Sequence, residues 1–231
     1  MLKNPVIEIK KLNHYFGSKK LRKQVLFDIN LEIESGDILI MTGPSGSGKS
    51  TLMSLIGGLR SVQEGNLKVL KQELKNANEQ HLVRIRRQIG YIFQRNNLVQ
   101  FLTVQQNVQM SLKLQPNICK KHISTRARAM LDSVGLGHRI NYYPQNLSGG
   151  ERQRTAIACA LVTHPKLILA DEPTASLDRD AGHNIMKLLQ RLAKEQETTI
   201  LIATHDYRIL PIADRIISIE DGKVQEPIPL I

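Results

Sequence analysis

Tryptophan is absent, aromatic residues make up only 4% of the chain, and cysteine occurs twice. Each shortage excludes something. Without interleaved aromatics the basic residues have no stacking platform for single-stranded bases, so nucleic acid is not an expected partner. Cys119 and Cys159 lie far apart and match no metal-ligand spacing, and the seven histidines show no paired spacing either. Reduced thiols are therefore expected, with no zinc site. No apolar run approaches the ~18 residues that span a bilayer, and the first residues lack a signal peptide's apolar core. The expectation is a protein that stays in the cytosol unless a partner holds it elsewhere.

What is present is ordinary for one globular unit. The 231 residues carry 23% charged and 41% hydrophobic side chains, enough for one core with a small appended subdomain. The net charge of +11 is densest at Lys19-Lys20-Leu21-Arg22-Lys23, between two strand-like stretches. A solvated hairpin loop and a functional basic patch both account for that cluster.

One stretch commits the chain to a chemistry. Gly43-Pro44-Ser45-Gly46-Ser47-Gly48-Lys49-Ser50-Thr51 fits Gly, four residues, Gly-Lys-Ser without a mismatch. Residues 37–41 read as a buried strand feeding in, and residues 51–56 open a helix that Gly57-Gly58 ends. Glycines let successive N–H groups turn toward one anion, and the helix N-terminus adds partial positive charge there. Lys49 would reach the β- and γ-phosphates and Ser50 would ligate Mg²⁺. The chain is expected to bind a nucleoside triphosphate.

The remainder alternates. Residues 6–12 and 25–33 read as strands of a small antiparallel layer, and Tyr15 or Phe16 at the first strand's end would either stack on a base or fill the core. Strands are also expected at 65–69, 89–93, 167–170 and 199–203, with a closing hairpin at 216–224, while 71–88 reads only as polar sequence. Ile157, Ala160 and Leu161 mark one helix and Ile185, Leu188, Leu189 and Leu192 another. Residues 95–146 read as an inserted helical subdomain, with Ala127, Met130, Leu131 and Val134 at helical spacing. Near its start Leu98, Val99, Phe101, Leu102, Val104 and Val108 crowd together, more than a short surface segment buries, so part of the set would form a docking groove. The fold class expected is α/β, a mainly parallel sheet covered by helices.

Strand ends carry the chemistry. Asp171 and Glu172 follow a buried strand, where two adjacent carboxylates are costly unless a cation or a reaction uses them. Asp171 would support Mg²⁺ opposite Ser50, and Glu172 would take the proton from an attacking water. Gln94 and His205 also follow strands, so all four converge at the carboxyl edge where open α/β sheets bind ligands. Leu147-Ser148-Gly149-Gly150-Glu151 is a second Gly-Gly helix start able to bind an anion. One γ-phosphate does not need two such cradles from one chain. Two chains head to tail, each offering this stretch to the other's ATP, follow as the natural arrangement.

The ordered set of Gly43 to Thr51, Gln94, Leu147 to Gln153, Leu169 to Pro173, Ser176-Leu177-Asp178 and His205 resembles the nucleotide-binding subunit of an ATP-binding-cassette transporter, a P-loop NTPase, over nearly the whole chain. Gly57-Gly58-Leu59 and residues 147–154 resemble the lipoprotein-releasing and macrolide-exporter group, and most of all the cyanobacterial DevA-type exporter ATPases. Gln106 and Cys159 depart from that group, which usually has Glu and Arg there. The resemblance implies that Tyr15 stacks on adenine, that Gln94 links Mg²⁺ to a membrane subunit, and that Ser148 and Gly150 contact the partner's ATP. It also implies Asp178 at the dimer seam, His205 on the γ-phosphate, and a protein held peripherally at the cytoplasmic side of the inner membrane by permease subunits. A soluble ATPase of the same superfamily is the competing expectation. A chromosome-type member needs a long coiled coil, and only 99 residues (148 − 49) separate Lys49 from Ser148. Ribosome-acting members carry two cassettes, and iron–sulfur assembly stays open.

Overall fold

The computed structural model describes residues 5–116 and 118–225. The main sheet comprises β3 (Ile38–Thr42), β6 (Ile89–Ile92), β7 (Leu167–Asp171), β8 (Thr199–Ala203), β9 (Arg215–Glu220) and β10 (Lys223–Gln225), in the order β10-β9-β3-β8-β7-β6. Every pairing in it is parallel except that of β10 with β9. A second, antiparallel sheet is ordered β2-β1-β4-β5 from β1 (Pro5–Phe16), β2 (Lys23–Glu34), β4 (Glu64–Val69) and β5 (Gln72–Glu73). The sequence predicts two strands in this layer. β4 joins it because residues 64–69 pair with β1, a register that strand alternation alone does not reveal.

Helices α1 (Lys49–Ile56), α2 (Glu79–Arg86), α3 (Val104–Lys113), α4 (Ile123–Ser133), α5 (Gly149–Leu161) and α6 (Arg179–Gln196) accompany the sheets. Strand alternation divides the core between the main sheet's two faces. Leu39, Met41, Leu169 and Leu201 face α1 and the antiparallel layer, while Ile40, Ile168, Ala170, Ile200 and Ile202 face α3 to α6. Consequently α1 is packed between the two sheets. Its Leu52, Met53, Leu55 and Ile56 are fully buried, each burial stabilising by about 1.5–3 kcal/mol. The residue that opens this helix, Lys49, is thereby held at a fixed place on the sheet edge.

Two segments differ from expectation. Within the polar stretch 71–88 lies α2, capped by Asn78, whose side chain accepts from the His81 N–H at 2.9 Å. Acidic Glu79 in its first turn and Arg84 and Arg86 in its last suit the helix dipole. Only Ile85 is buried, so no apolar stripe announces the helix. In the block 95–146, α3 packs on α4 and on α5, but residues 95–103 are irregular. Buried Asn107 holds that loop. It accepts from the Val99 N–H at 2.8 Å and donates to the carbonyls of Val99, Leu102 and Thr103.

Candidate functional site

Residues 43–48 leave the end of β3 and turn into α1, with Gly43, Gly46 and Gly48 at φ 130°, 82° and 109°. At Gly43 a Cβ would collide with the Ile219 carbonyl, and at Gly48 it would stand 2.8 Å from the Leu26 side chain. Both positions favour glycine for conformation, and Gly43 also for space. Ser45, Gly46 and Ser50 are exposed, Thr51 is half-buried, and Ser47 is buried with its hydroxyl lacking a protein partner. The Lys49 ammonium lies across the loop, donating to the carbonyls of Gly43 at 2.7 Å and Pro44 at 2.9 Å. The loop thus gathers N–H donors and a cation at the positive end of α1.

Parallel registers bring the other strand ends alongside. Met41 is level with Ala203, Asp171 with Ala203, and Ile92 with Ala170. The Ser50 side chain lies beside the Asp171 carboxyl and favours its charged form. Burial holds that carboxyl above its usual range, with neighbouring Glu172 adding to the shift and Ser50 and Lys49 opposing it. Hard oxygen donors beside the phosphate loop fit Mg²⁺. No cluster of three His, Cys, Asp or Glu among the described residues would hold a metal alone, so phosphate oxygens would have to complete the shell.

Glu172 adopts φ 51°, in the left-handed region, where a non-glycine residue costs on the order of 1–3 kcal/mol and persists only if its surroundings enforce it. They do. Its N–H donates to the Ala203 carbonyl at 2.8 Å, Thr204 donates to Oε2 at 3.1 Å, and His205 Nδ1 lies 2.7 Å from Oε1. The carboxylate is nearly buried, whereas the His205 ring is 78% exposed. A neutral ring donating from Nδ1 leaves Nε2 without a proton. A hydrogen bond from Nε2 to a phosphate therefore needs the imidazolium, or release of Glu172.

Sequence reasoning missed the residues that brace this pair. Asp206 accepts from Thr174 at 3.1 Å and from the Arg208 guanidinium at 2.7 and 2.8 Å, while its N–H donates to the Thr204 hydroxyl at 3.0 Å. Arg208 holds the Asp206 carboxyl down at about 2. The polar run Thr204-His205-Asp206 directly after a buried strand was the available signal.

Among the described residues, the other predicted ones form no hydrogen bond with Glu172, His205 or Lys49. Gln94 is exposed two residues beyond β6. Ser148 caps α5 in a reciprocal box with Glu151, and Glu151 also binds Arg139 at 2.8 Å. Half-buried Gly149 and Gly150 follow, and a Cβ on Gly150 would stand 3.2 Å from the Ser176 carbonyl. Exposed Asp178 caps α6, accepting from the Ala181 N–H. Tyr15 sits at the end of β1, opposite Gln24 and one position from Val25, whose carbonyl borders Gly48. Gln106 closes a capping box with Thr103, keeping the role a Glu would play at the start of α3. The apolar set at 98–108 is divided between a cleft, the core and the surface. A cleft of about 400 Å³ between α2, β6, α3 and α5 is lined by Tyr91, Phe93, Leu98, Met110, Leu114 and Cys159 among others. Val104 and Val108 are in the core and Phe101 is 81% exposed. Burial pushes the Cys159 thiol up to about 12, so it stays protonated.

Residues 26–175 match the family model for the ABC transporter. An ATP-binding protein named for hemin import, HrtA of Staphylococcus haemolyticus, is 38% identical over 220 residues, covering 95% of this chain and 99% of that one. The macrolide export ATP-binding/permease protein MacB of Aggregatibacter actinomycetemcomitans is 43% identical over 95% of this chain, which spans 34% of that longer protein. The dimeric post-hydrolysis structure of the ATP-binding cassette MJ0796 with ADP and Pi superimposes with a TM-score of 0.92 at 34% identity, covering 96% of this chain and 97% of that one. Phosphate loop, carboxylates and matching relatives agree: the chain belongs to the ABC transporter family, as an ATP-binding and ATP-hydrolysing subunit.

Proposed function

We propose that two copies of this chain close head to tail around two ATP·Mg²⁺ and drive a separate membrane-spanning permease. The observation that carries this is the run of groups along one sheet edge, from Lys49 and Ser50 through Asp171 to Glu172 and His205. Lys49 leaves the Gly43 and Pro44 carbonyls for the β- and γ-phosphates, and the loop N–H groups hold their oxygens. Ser50 and Asp171, with Gln94 reaching in from β6, would hold Mg²⁺, which when bound neutralises phosphate charge. Both Glu172 oxygens already have partners, so the carboxylate is fixed in place to accept a proton from the attacking water at its remaining lone pairs. The ring of Tyr15 takes the adenine. Ser148, Gly149 and Gly150 meet the γ-phosphate of the opposite copy, with Asp178 at the seam.

The apolar cleft receives a short amphipathic helix of the permease, and Arg87 on its rim favours an acidic end on that helix. The transported molecule is hydrophobic or lipid-like, and the motif likeness favours export. MacB is named for macrolide export and HrtA for hemin import. The chain then works peripherally at the cytoplasmic side of the inner membrane.

Glu172→Gln tests the chemistry. It should retain ATP affinity, lower turnover by about 10²–10⁴-fold, and accumulate an ATP-bound dimer on size exclusion. Near-normal phosphate release would remove Glu172 from its role.

A further inference from the structure

The charged turn between β1 and β2 takes no part in the phosphate chemistry, yet one of its residues lies on Tyr15. Gly17, at φ 74°, lets the chain double back where a Cβ would collide with the Leu21 carbonyl. A single 3-10 turn over Lys19–Leu21 follows, and β2 then starts at Lys23. This brings the Arg22 guanidinium carbon to 3.8 Å from the centroid of the Tyr15 ring. Glu64, at the start of β4, ties the two together. One carboxylate oxygen accepts from the Tyr15 hydroxyl at 3.0 Å and the other from Arg22 at 3.3 Å. Gln63 grips the same residue from behind, accepting from the Tyr15 N–H at 2.7 Å and donating to its carbonyl at 3.1 Å. Tyr15 is held by its backbone, by its tip and on one face.

We infer that Arg22 and Glu64 are positioning residues for the nucleobase: they hold the Tyr15 ring as a rigid platform with one face left for adenine. This rests on Tyr15 as the stacking residue. Tyr15 pairs with Gln24, the neighbour of Val25, whose carbonyl would lie 3.2 Å from a Cβ on Gly48, so strand register sets Tyr15 near the phosphate loop and one nucleotide could reach both. An aromatic ring whose rotamer is already fixed loses little freedom when a base stacks on it. A cation behind the ring also draws on its π-electrons and favours stacking of an electron-rich purine in front. Arg22 and Glu64 are each about half exposed, so the pair orders Tyr15 without contributing to the buried core. The rival arrangement has Arg22 as a lid that adenine must displace, and it predicts the opposite sign.

The test compares ATP with inorganic tripolyphosphate, which has no base. Arg22→Ala and Glu64→Gln should each raise the KM and Kd for ATP by about 3- to 10-fold. The effect should fall on KM rather than on kcat at saturating ATP, and tripolyphosphate binding should not move. Arg22→Lys keeps the charge but not the planar stack, so it should recover only part of the loss. Unchanged ATP affinity in both variants, or tighter binding in Arg22→Ala, overturns the inference. Tyr15→Ala separates the two levels. If it leaves ATP affinity unchanged, base stacking on Tyr15 itself fails. If it weakens ATP while Arg22→Ala and Glu64→Gln do not, only the positioning pair fails.

Discussion

At the scale of single residues, the left-handed backbone of Glu172 concentrates the constraint, and its neighbours supply the force that maintains it. Asp206 is central among them because it joins both loops. Through Thr174 it reaches the loop after Glu172, and through the Thr204 hydroxyl it reaches the Glu172 carboxylate. Asp206→Ala should therefore displace Glu172 and lower kcat by up to about 10²-fold with little change in the KM for ATP. Asp206→Asn keeps an acceptor for Thr174 and should recover part of that loss. The variant carries a pH signature as well. The native carboxyl titrates at about 2 against a reference of 3.8. A depressed native value contributes stability above the unfolded value and loses it as pH falls. The melting temperature of wild type should exceed that of Asp206→Asn at pH 7, and the gap should narrow below pH ~4 toward pH ~2. Partial exposure of Asp206 and Arg208 keeps the gap small. A gap that widens on acidification contradicts the assignment.

At the scale of elements, α5 connects regions far apart in sequence. Its Gln153 donates to the Pro173 carbonyl just past Glu172, its Gly150 leans on Ser176, and its Cys159 lines the apolar cleft. The loop after β7 and the cleft wall thus share one helix. Leu114, at the end of α3, is 62% exposed in that wall. Leu114→Glu introduces a charge where an apolar helix would dock, without touching the nucleotide residues. It should abolish co-purification with the permease and any stimulation by it, while ATPase activity in solution persists. An intact complex would move the docking surface away from the cleft. Of the apolar set that the sequence brings together at 98–108, Leu98 lines this cleft. The valines at 104 and 108 turn inward with α3, and Asn107, unremarkable as a letter, is the residue that shapes the loop before them.

At the scale of the whole molecule, the phosphate loop lies at the carboxyl edge of the sheet, whereas Ser148 and Asp178 cap helices and present exposed side chains. A shared site between two copies makes a specific demand. Ser148→Arg alone and Lys49→Ala alone should both be inactive. Their heterodimer places both lesions in one site and leaves the other intact, so a 1:1 mixture should regain about a quarter of wild-type ATPase activity if sites act independently. Normal activity of Ser148→Arg by itself would show that each chain completes its own site. The phosphate loop, the buried strands and the Gly-Gly helix start were legible in the sequence because each is a local pattern, set by glycine conformation, strand alternation and capping within about ten residues. Helix α2 was not legible because it buries a single residue deeply. The clasp on Glu172, the Arg22–Glu64–Tyr15 cluster and the cleft between α2 and α5 were decided by the tertiary structure alone. Each joins side chains from two or more segments, through strand register and helix packing that no single stretch of chain encodes.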